Sequence, residues 1–255
     1  NNVYSGKDLR GGGTGEESLD LLLVLHKRHP FPIHPDRQGN ERDFMRRGAL
    51  KHLPKLSQAE NNDTGDSFGQ FGFDDYYGPG SRWTRRAVLT REGYLIIADT
   101  YIGGETLADD FAAGPVWHLA HPDKETDTTN TPITQQANWF DAPAFAHAWW
   151  QKEKLRVLLY LHQDGNMKFG SVAQRHSQDT DPNITCFGWR SIKPGTPERF
   201  LSVIIPHTDT EDANTLAATI ETAITEGDGY QTRIEGTTIN ISIEGRWSVT
   251  RAEAK

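Results

Sequence analysis

The sequence predicts an all-β protein built as one large antiparallel β-sandwich, with an irregular N-terminal segment and one late helix. Short β-rich runs follow one another from Arg82 onward, and tight-turn residues separate several of them. Near the end, the triplet Ile-Glu-Gly recurs nine residues apart, as expected for a meander of short strands. Hairpins at this spacing favour a sandwich or a barrel over a parallel α/β sheet.

The N-terminal residues 1–69 are predicted to form an irregular segment that packs on the sandwich, and residues 70–255 form the sandwich itself, in a single domain. Three successive glycines at 11–13 indicate a loop. A phosphate-binding loop is the alternative for these glycines, but no Lys-Ser/Thr pair follows them and no strand precedes them. Four prolines between residues 30 and 54 are typical of irregular surface structure.

Two pairs of runs carry the strand prediction. Arg85–Thr90 and Tyr94–Thr100 flank an Arg-Glu-Gly turn, which predicts a hairpin. Leu155–His162 and Met167–Ala173 flank an Asp-Gly pair, which supplies the positive φ angles that a tight turn needs. The further predicted strands are Phe200–Pro206, Gln231–Glu235, Thr237–Ile243 and Arg246–Arg251.

The late helix is predicted over Thr210–Thr225. Asp212 stands near its start, apolar residues recur at every fourth position from Leu216 to Ile224, and Gly227 follows its end.

Composition excludes several classes of function. The net charge of −8 disfavours general binding of nucleic acids or anionic membranes, although a local arginine cluster could still bind an anionic sugar. No apolar run approaches the length of a membrane span. The single cysteine, Cys186, cannot form an internal disulfide, and we expect it to be a small buried residue. The chain opens at Asn1 without a signal peptide, so we expect a processed chain or, preferably, a piece of a longer one.

Two blocks resemble a known domain. The first runs from Ser81 to Thr90 (SRWTRRAVLT) and continues from Gly93 to Gly104 (GYLIIADTYIGG). The second runs from Trp189-Arg190-Ser191 through Phe200–His207 (FLSVIIPH). Together they resemble the C-terminal β-sandwich of the heparinase II/III-like and related alginate lyases, over roughly residues 70–210. The shared pattern is an Arg-rich strand, a turn, and an apolar strand that ends in Asp and then Gly.

The resemblance implies the β-sandwich portion of a lyase that cleaves a uronic-acid polysaccharide by β-elimination. Such enzymes neutralise the sugar carboxylate, remove the C5 proton and protonate the departing oxygen. The resemblance also implies that most catalytic residues lie on an N-terminal α/α-toroid, and that His and Asp often hold a structural zinc. This sequence has no toroid, no His-x-His followed by Asp, and no His-Asn pair.

We therefore expect that this chain alone lacks a complete active site, and we assign no catalytic residue and no metal ligand. The expected partners are an anionic polysaccharide and an α/α-toroid domain or chain, and the expected location is periplasmic or secreted. A non-catalytic carbohydrate-binding or scaffolding module is the main alternative. A β-sandwich interaction domain without a sugar function is a further one.

The Arg-rich strand supplies the sugar-binding candidates. Arginine binds carboxylate or sulfate through two parallel hydrogen bonds, and Trp and Tyr present flat apolar faces to sugars. The alternative is that one of Arg85 and Arg86 pairs with Asp99 while the other is solvated. The predicted substrate-binding residues are Tyr76, Tyr77, Trp83, Arg85 and Arg86, with Arg82 beside them.

Histidines and aromatics give further candidates, each with a structural alternative. One group could bind a metal or form a solvated polar loop; it comprises His26, His29, His34 and Asp36. His118 and His121 would point to opposite faces of a strand, so one of them could be functional or simply packed. An aromatic group could be a sugar platform, part of the core or the toroid interface; it comprises Trp139, Phe140, Phe145, Trp149 and Trp150.

Overall fold

A computed structural model describes residues 55–75, 80–104, 112–120, 133–143, 155–175, 182–208, 210–225 and 229–252. These residues form strands and one short helix, and every pair of neighbouring strands is antiparallel. In chain order the elements are β1 (Lys55–Asn61), β2 (Ser67–Asp74), β3 (Arg82–Leu89), β4 (Leu95–Ile102), β5 (Ala112–Ala113), β6 (Val116–Ala120), β7 (Thr134–Gln136), β8 (Trp139–Pro143), β9 (Leu155–Leu161), β10 (Lys168–Arg175), β11 (Pro182–Ser191), β12 (Pro197–Thr208), α1 (Ala213–Ala218), β13 (Ile220–Thr225), β14 (Gly229–Ile234), β15 (Thr237–Ser242) and β16 (Trp247–Arg251).

The strands form three sheets. The central sheet has eight strands in the order β1-β2-β3-β4-β12-β9-β8-β7. The first cover sheet contains β10, β11 and β5, with β6 also paired to β11, and the second cover sheet is the meander β13-β14-β15-β16. The all-β sandwich prediction is confirmed, with one cover sheet on each face of the central sheet.

Strand alternation explains why the middle of the central sheet is apolar on both sides. Successive side chains of a strand point to opposite faces. On β4, Leu95 and Ile97 pack toward the first cover sheet, whereas Ile96 and Ala98 pack toward the second. A strand covered on both faces therefore appears as a continuous apolar run rather than an alternating one.

The two cover sheets differ in how far they extend. On the first face, the core continues to the end of the sheet that holds the β2–β3 connection, where Trp83, Tyr101 and Phe200 are buried together. On the second face, the core contains Ala98 and Leu201 but no described residue of β3, β4 or β12 nearer to that end. Among the described residues, one end of the second face therefore has no apolar cover; we call it the uncovered end.

The two predicted tight turns of the β3–β4 hairpin and the meander are confirmed. Leu89 pairs with Leu95, and Gly93 closes the turn at φ 89° by donating its N–H to the Thr90 carbonyl. In the meander, Glu235 and Gly236 have φ of 47° and 84°. Positive φ at both positions is the geometry of a two-residue type I′ hairpin turn.

The late helix is shorter than predicted. It spans Ala213–Ala218, and Asp212 caps it by accepting hydrogen bonds from the backbone of Asn214 and Thr215. The rest of the predicted helix is β13, which pairs along its whole length with β14. Apolar residues four apart also fit a strand, since four is a multiple of two, and the β-branched residues there favour strand pairing.

Two further expectations are corrected. The runs around residues 155–173 are strands, but β9 lies in the central sheet and β10 in the first cover sheet, so they are not a hairpin. Gly165, at φ 49°, makes the expected turn, which carries the chain from one sheet to the other. Strand structure also begins before residue 70, with β1 and the first three residues of β2. Residues 1–54 lie outside the described ranges, so the division of the chain at residue 69 stays a prediction.

Candidate functional site

The predicted sugar-binding residues of β3 are divided between the two faces of the central sheet. Trp83 and Arg85 point to the first face and Arg86 to the second, because successive side chains alternate. Tyr76 and Tyr77 lie outside the described residues. The structure therefore does not bring this set together on one surface.

Arg85 is part of a buried ion pair on the first face. Its Nε and Nη2 each donate to a carboxylate oxygen of Asp99 at 2.7 Å, and Trp83 Nε1 donates to the same carboxylate at 3.1 Å. The guanidinium also lies 4.7 Å from the centre of the Trp117 ring. Arg85 and Trp83 are each 2% exposed, so the expectation that they face a sugar is wrong. The alternative that Arg85 pairs with Asp99 is confirmed.

Arg86 is buried on the second face without a carboxylate partner. It donates to Thr100 Oγ1 at 3.2 Å and to the Ile243 carbonyl, whereas its Nε has no hydrogen-bond partner. Burial lowers its pKa from the usual arginine value. At 5% exposure it is neither solvated nor open to a sugar ring, which corrects both expectations for this residue.

Side chains on the second face become steadily more exposed toward the uncovered end. Along β3 they pass from the buried Arg86 to the half-buried Thr84 and the exposed Arg82, which pairs with Asp74 at 3.1 Å. The next strands show the same trend, and a surface of cationic and hydroxyl side chains results. We call this surface the arginine ledge; it consists of Arg82, Thr84, Arg86, Thr100 and Arg199.

Two titratable groups border the arginine ledge. The Tyr230 hydroxyl donates to the Asp99 carbonyl and contacts Thr100 Oγ1, both at 2.8 Å, and burial raises its pKa to about 12. His162 Nδ1 lies 2.8 Å from Thr222 Oγ1, and burial lowers the pKa of its imidazole. At neutral pH the tyrosine is therefore protonated and the histidine neutral. A tyrosine that keeps its proton at neutral pH is not suited to be a base.

A buried histidine was not found from the sequence. His207 Nε2 lies 2.9 Å from Asp141 Oδ1 and its Nδ1 lies 2.9 Å from the Thr208 carbonyl, while Arg156 Nε donates to Asp141 Oδ2 at 2.7 Å. The His207 side chain is 1% exposed, so a substrate cannot reach it in this conformation. The sequence did contain a signal for it: His207 is an ionisable residue in the otherwise apolar β12, and a buried ionisable side chain requires a polar partner.

The other candidates are mainly structural where the structure describes them. Trp139 and Phe140 are buried on opposite faces of the central sheet, in two different cores. Cys186 is buried as expected, and burial raises the pKa of its thiol to about 12. His118 lies in β6. The remaining candidates lie outside the described residues: His26, His29, His34, Asp36, His121, Phe145, Trp149 and Trp150.

The described residues do not fit the structural zinc that the family resemblance implies. Both Asp99 oxygens accept hydrogen bonds from Arg85, and one of them also accepts from Trp83. Across the part of the chain that the structure describes, no group of three His, Cys, Asp or Glu residues is arranged to hold a metal ion.

No protein-family model and no curated protein matches the chain. Among solved structures, the chain is similar to heparan sulfate lyase HepC from Pedobacter heparinus, with 13% identity and a TM-score of 0.48 over 96% of this chain and 33% of that one. It is also similar to two structures of heparinase III, each at 9% identity and over 78% of this chain, with TM-scores of 0.49 and 0.48. These matches cover 27% and 28% of the heparinase III chains. This chain thus spans a third or less of the structures it matches.

Within the described ranges, no helix has both the length and the apolar character needed to cross a membrane.

Proposed function

We propose that this chain is the β-sandwich portion of a polysaccharide lyase that cleaves a uronic-acid glycan by β-elimination. The main support is that the two blocks carrying the sequence resemblance are neighbours in the fold. The first block forms the β3–β4 hairpin, and β12 of the second block pairs with β4. Asp99 stands opposite Arg85 on one side and Phe200 on the other. The resemblance therefore belongs to one contiguous unit in the middle of the central sheet.

The chemistry of β-elimination divides naturally between this chain and a partner. The reaction needs a cation near the sugar carboxylate, a base for the C5 proton and an acid for the leaving oxygen. The arginine ledge supplies cations. Among the described residues, Tyr230 has a pKa raised to about 12 and His207 is buried behind Asp141, so neither is a suitable base. The acid and base then come from an α/α-toroid, as a further domain or a separate chain.

The proposal includes the remaining sugar contacts and the location. Tyr76 and Tyr77 follow β2 in the sequence and stay predicted sugar contacts. A lyase acting on anionic polysaccharides works where such glycans occur, in the periplasm or outside the cell.

Release of unsaturated uronate, followed by absorbance near 235 nm, tests the proposal. The substrates are alginate, heparan sulfate, hyaluronan and chondroitin. The chain alone is expected to give no rise, and the chain together with its α/α-toroid is expected to give a rise on at least one glycan. A rise with the chain alone would contradict the incomplete-site part of the proposal. No rise with the toroid present would contradict the lyase function.

A non-catalytic carbohydrate-binding or scaffolding module is the second candidate, and the outer face of the first cover sheet favours it. Trp189 is half-buried there, and the Lys168 ammonium lies 4.7 Å from the centre of its ring. On the same face, the Phe187 ring lies against Gly170. An aromatic ring beside a cation suits an anionic sugar. Glycan binding that Trp189→Ala abolishes, with no elimination when the toroid is added, would establish this candidate.

A further inference from the structure

A histidine is buried between two acceptors at the end of β12. The His207 side chain is 1% exposed, and each of its ring nitrogens lies 2.9 Å from an oxygen. Nε2 faces the Asp141 carboxylate, and Nδ1 faces the Thr208 carbonyl. A neutral imidazole carries one N–H, whereas an imidazolium donates from both nitrogens. Only the protonated ring can therefore form hydrogen bonds to both oxygens.

The charged groups around His207 come from β8, from β9 and from the turn that follows β12. Asp141 stands on β8, and Arg156 of β9 contacts its Oδ2 through Nε and Nη2, each at 2.7 Å. Glu211 lies in the turn, whereas helix α1 contains no charged residue and its cap Asp212 bonds to the helix backbone. Among the described residues, two carboxylates thus face one guanidinium, so a proton on His207 balances the charge.

The turn after β12 is connected to His207 through Thr208. Glu211 Oε2 accepts hydrogen bonds from the Thr208 N–H at 2.8 Å and from its hydroxyl at 3.0 Å. These bonds lower the pKa of Glu211, and the charge of His207 adds to the effect. The Glu211 N–H in turn donates to the Thr208 carbonyl at 3.2 Å. One carbonyl oxygen therefore serves both the turn and the histidine ring.

The two acceptors of His207 differ in what they lose when the ring becomes neutral. Asp141 is 5% exposed, and His207 is the partner of its Oδ1, since Arg156 binds Oδ2. A buried charged acceptor is costly to leave without its donor. The Thr208 carbonyl, by contrast, keeps the N–H of Glu211. The remaining proton should therefore stay on Nε2, and the hydrogen bond from Nδ1 to the Thr208 carbonyl is the one that is lost.

We propose that His207 is a pH-sensitive link that tightens the turn from β12 into α1 when the ring is protonated. The protonated ring joins β8 to the Thr208–Glu211 turn, whereas the neutral ring bonds to β8 alone. This turn carries the chain from the central sheet to the second cover sheet, because α1 leads directly into β13. The stability that the proton contributes is present at low pH and is lost as pH rises through the titration of His207. The link is independent of the proposed lyase function and needs no ligand.

Nuclear magnetic resonance of the isotope-labelled 255-residue chain tests the charge and the tautomer of the ring. The ring nitrogen shifts of His207 and His162 are followed through one pH titration. His162 is the internal reference, because burial lowers the pKa of its imidazole and its Nδ1 lies 2.8 Å from a hydroxyl, that of Thr222. As pH rises, His162 should lose its proton first, and the neutral form of His207 should keep its proton on Nε2. If His207 becomes neutral before or together with His162, or carries its last proton on Nδ1, the proposal is wrong.

Amide hydrogen exchange measures the turn itself. Rates are divided by the rate of an unstructured chain at each pH, which gives a protection factor for each N–H. The protection of the Glu211 N–H should fall about fivefold as His207 loses its proton, the usual effect of one hydrogen bond on a local opening equilibrium. The Gly245 N–H, which donates to the Ser242 carbonyl at 3.1 Å in the β15–β16 turn, is the control and should not change. Constant protection of Glu211, or an equal fall at Gly245, would overturn the proposal.

His207→Gln and His162→Gln form a matched pair of variants. Glutamine does not titrate, so His207→Gln should leave the Glu211 N–H with a low protection that no longer changes with pH. His162→Gln removes a ring that contacts β13 rather than the turn, and it should keep the wild-type profile. If the pH dependence persists in His207→Gln or disappears in His162→Gln, another group controls the turn and the proposal falls. If His207→Gln fails to fold, the titration and the exchange of the wild-type chain still decide the question.

Discussion

Arg85 and Arg86 are neighbours in sequence, but their side chains are buried on opposite faces of the central sheet. Arg85 lies on the first face, where Asp99 neutralises it and the core covers it to the end of the sheet. Arg86 lies on the second face, where no described carboxylate pairs with it and the cover sheet ends close by. Burial is therefore similar for the two residues, while charge compensation differs. The difference separates an arginine whose charge is neutralised by a buried carboxylate from one that is held only by neutral acceptors.

If the two arginines differ in charge compensation, the Asp99 carboxylate should be needed for the stability of the fold. Asp99→Ala leaves Arg85 as a buried, uncompensated cation, and breaking a buried pair in this way costs about 3–5 kcal/mol. Urea unfolding at pH 7 should show this loss of stability or an unfolded protein. Asp74→Ala is the control, because the Asp74–Arg82 pair is largely exposed and should contribute under about 1 kcal/mol. Similar losses of stability in the two variants would show that the buried Arg85–Asp99 pair contributes no more than the exposed Arg82–Asp74 pair.

The second face is closed at the end opposite the arginine ledge, and a salt-bridge network closes it. Arg251 of β16 donates to Glu92 at 2.7 Å in the β3–β4 turn and to Asp66 just before β2. These bonds from Arg251 lower the pKa of Glu92 to about 2. Burial on its own raises the pKa of Asp66, but the bonds from Arg251, Asn62 and Arg91 outweigh it and the net pKa is lowered.

Acid should therefore loosen this closed end. A carboxyl with a lowered pKa stabilises the fold above its unfolded pKa, and the stability is lost as pH falls from about 5 toward 2. Because Glu92 is partly solvated, the expected loss is about 1–2 kcal/mol. Arg251→Gln should lose a similar amount at pH 7 and show a flatter pH dependence across this range. An unchanged acid profile in this variant would show that other carboxylates control the acid response.

Much of the fold follows from local sequence signals. The β3–β4 hairpin could be predicted because Gly93 must adopt a positive φ, and the meander because Glu235-Gly236 suits a two-residue turn. The separation of β9 from β10 could not be predicted. The Asp-Gly turn around Gly165 specifies that the chain bends, but not which strand each run will pair with.

The site was harder to predict because it joins distant parts of the chain. Alternation along β3 shows from sequence that Arg82, Thr84 and Arg86 share one side. It does not show which side is left uncovered, nor that Arg199, more than a hundred residues later, completes the row. The ion pair between Arg85 and Asp99 was one of two alternatives that the sequence offered for Arg85, and the structure confirms it.

Arg86 itself offers a smaller effect that sharpens the contrast with Arg85. Arg86→Met removes two hydrogen bonds, each worth about 1 kcal/mol, but also removes the cost of burying an unpaired guanidinium. The net change in the free energy of unfolding should be within about 1 kcal/mol, measured by urea unfolding. Arg85→Met, which strands the Asp99 carboxylate, should cost at least about 3 kcal/mol. If the two variants were equally destabilised, Arg86 would be a structural residue like Arg85.

Cysteine labelling compares the openness of the two faces with almost no effect on stability. Cys186 lies in the first core with no exposed surface, and its thiol has a pKa raised to about 12. Wild type should therefore react with a thiol reagent at pH 8 only after unfolding. Thr84→Cys places a second thiol on the half-buried arginine ledge, and it should react at least about a hundredfold faster than Cys186.

Heparan sulfate oligosaccharides should slow the labelling of the Thr84→Cys variant, since a ligand on the ledge would cover the new thiol. Hyaluronan oligosaccharides should protect it as well if a carboxylate alone is bound. Labelling as slow as that of Cys186 would show that the second face is closed at both ends, and the difference between the two faces would then be one of charge alone. Fast labelling without protection by either glycan would show an open face whose arginines do not bind a saccharide.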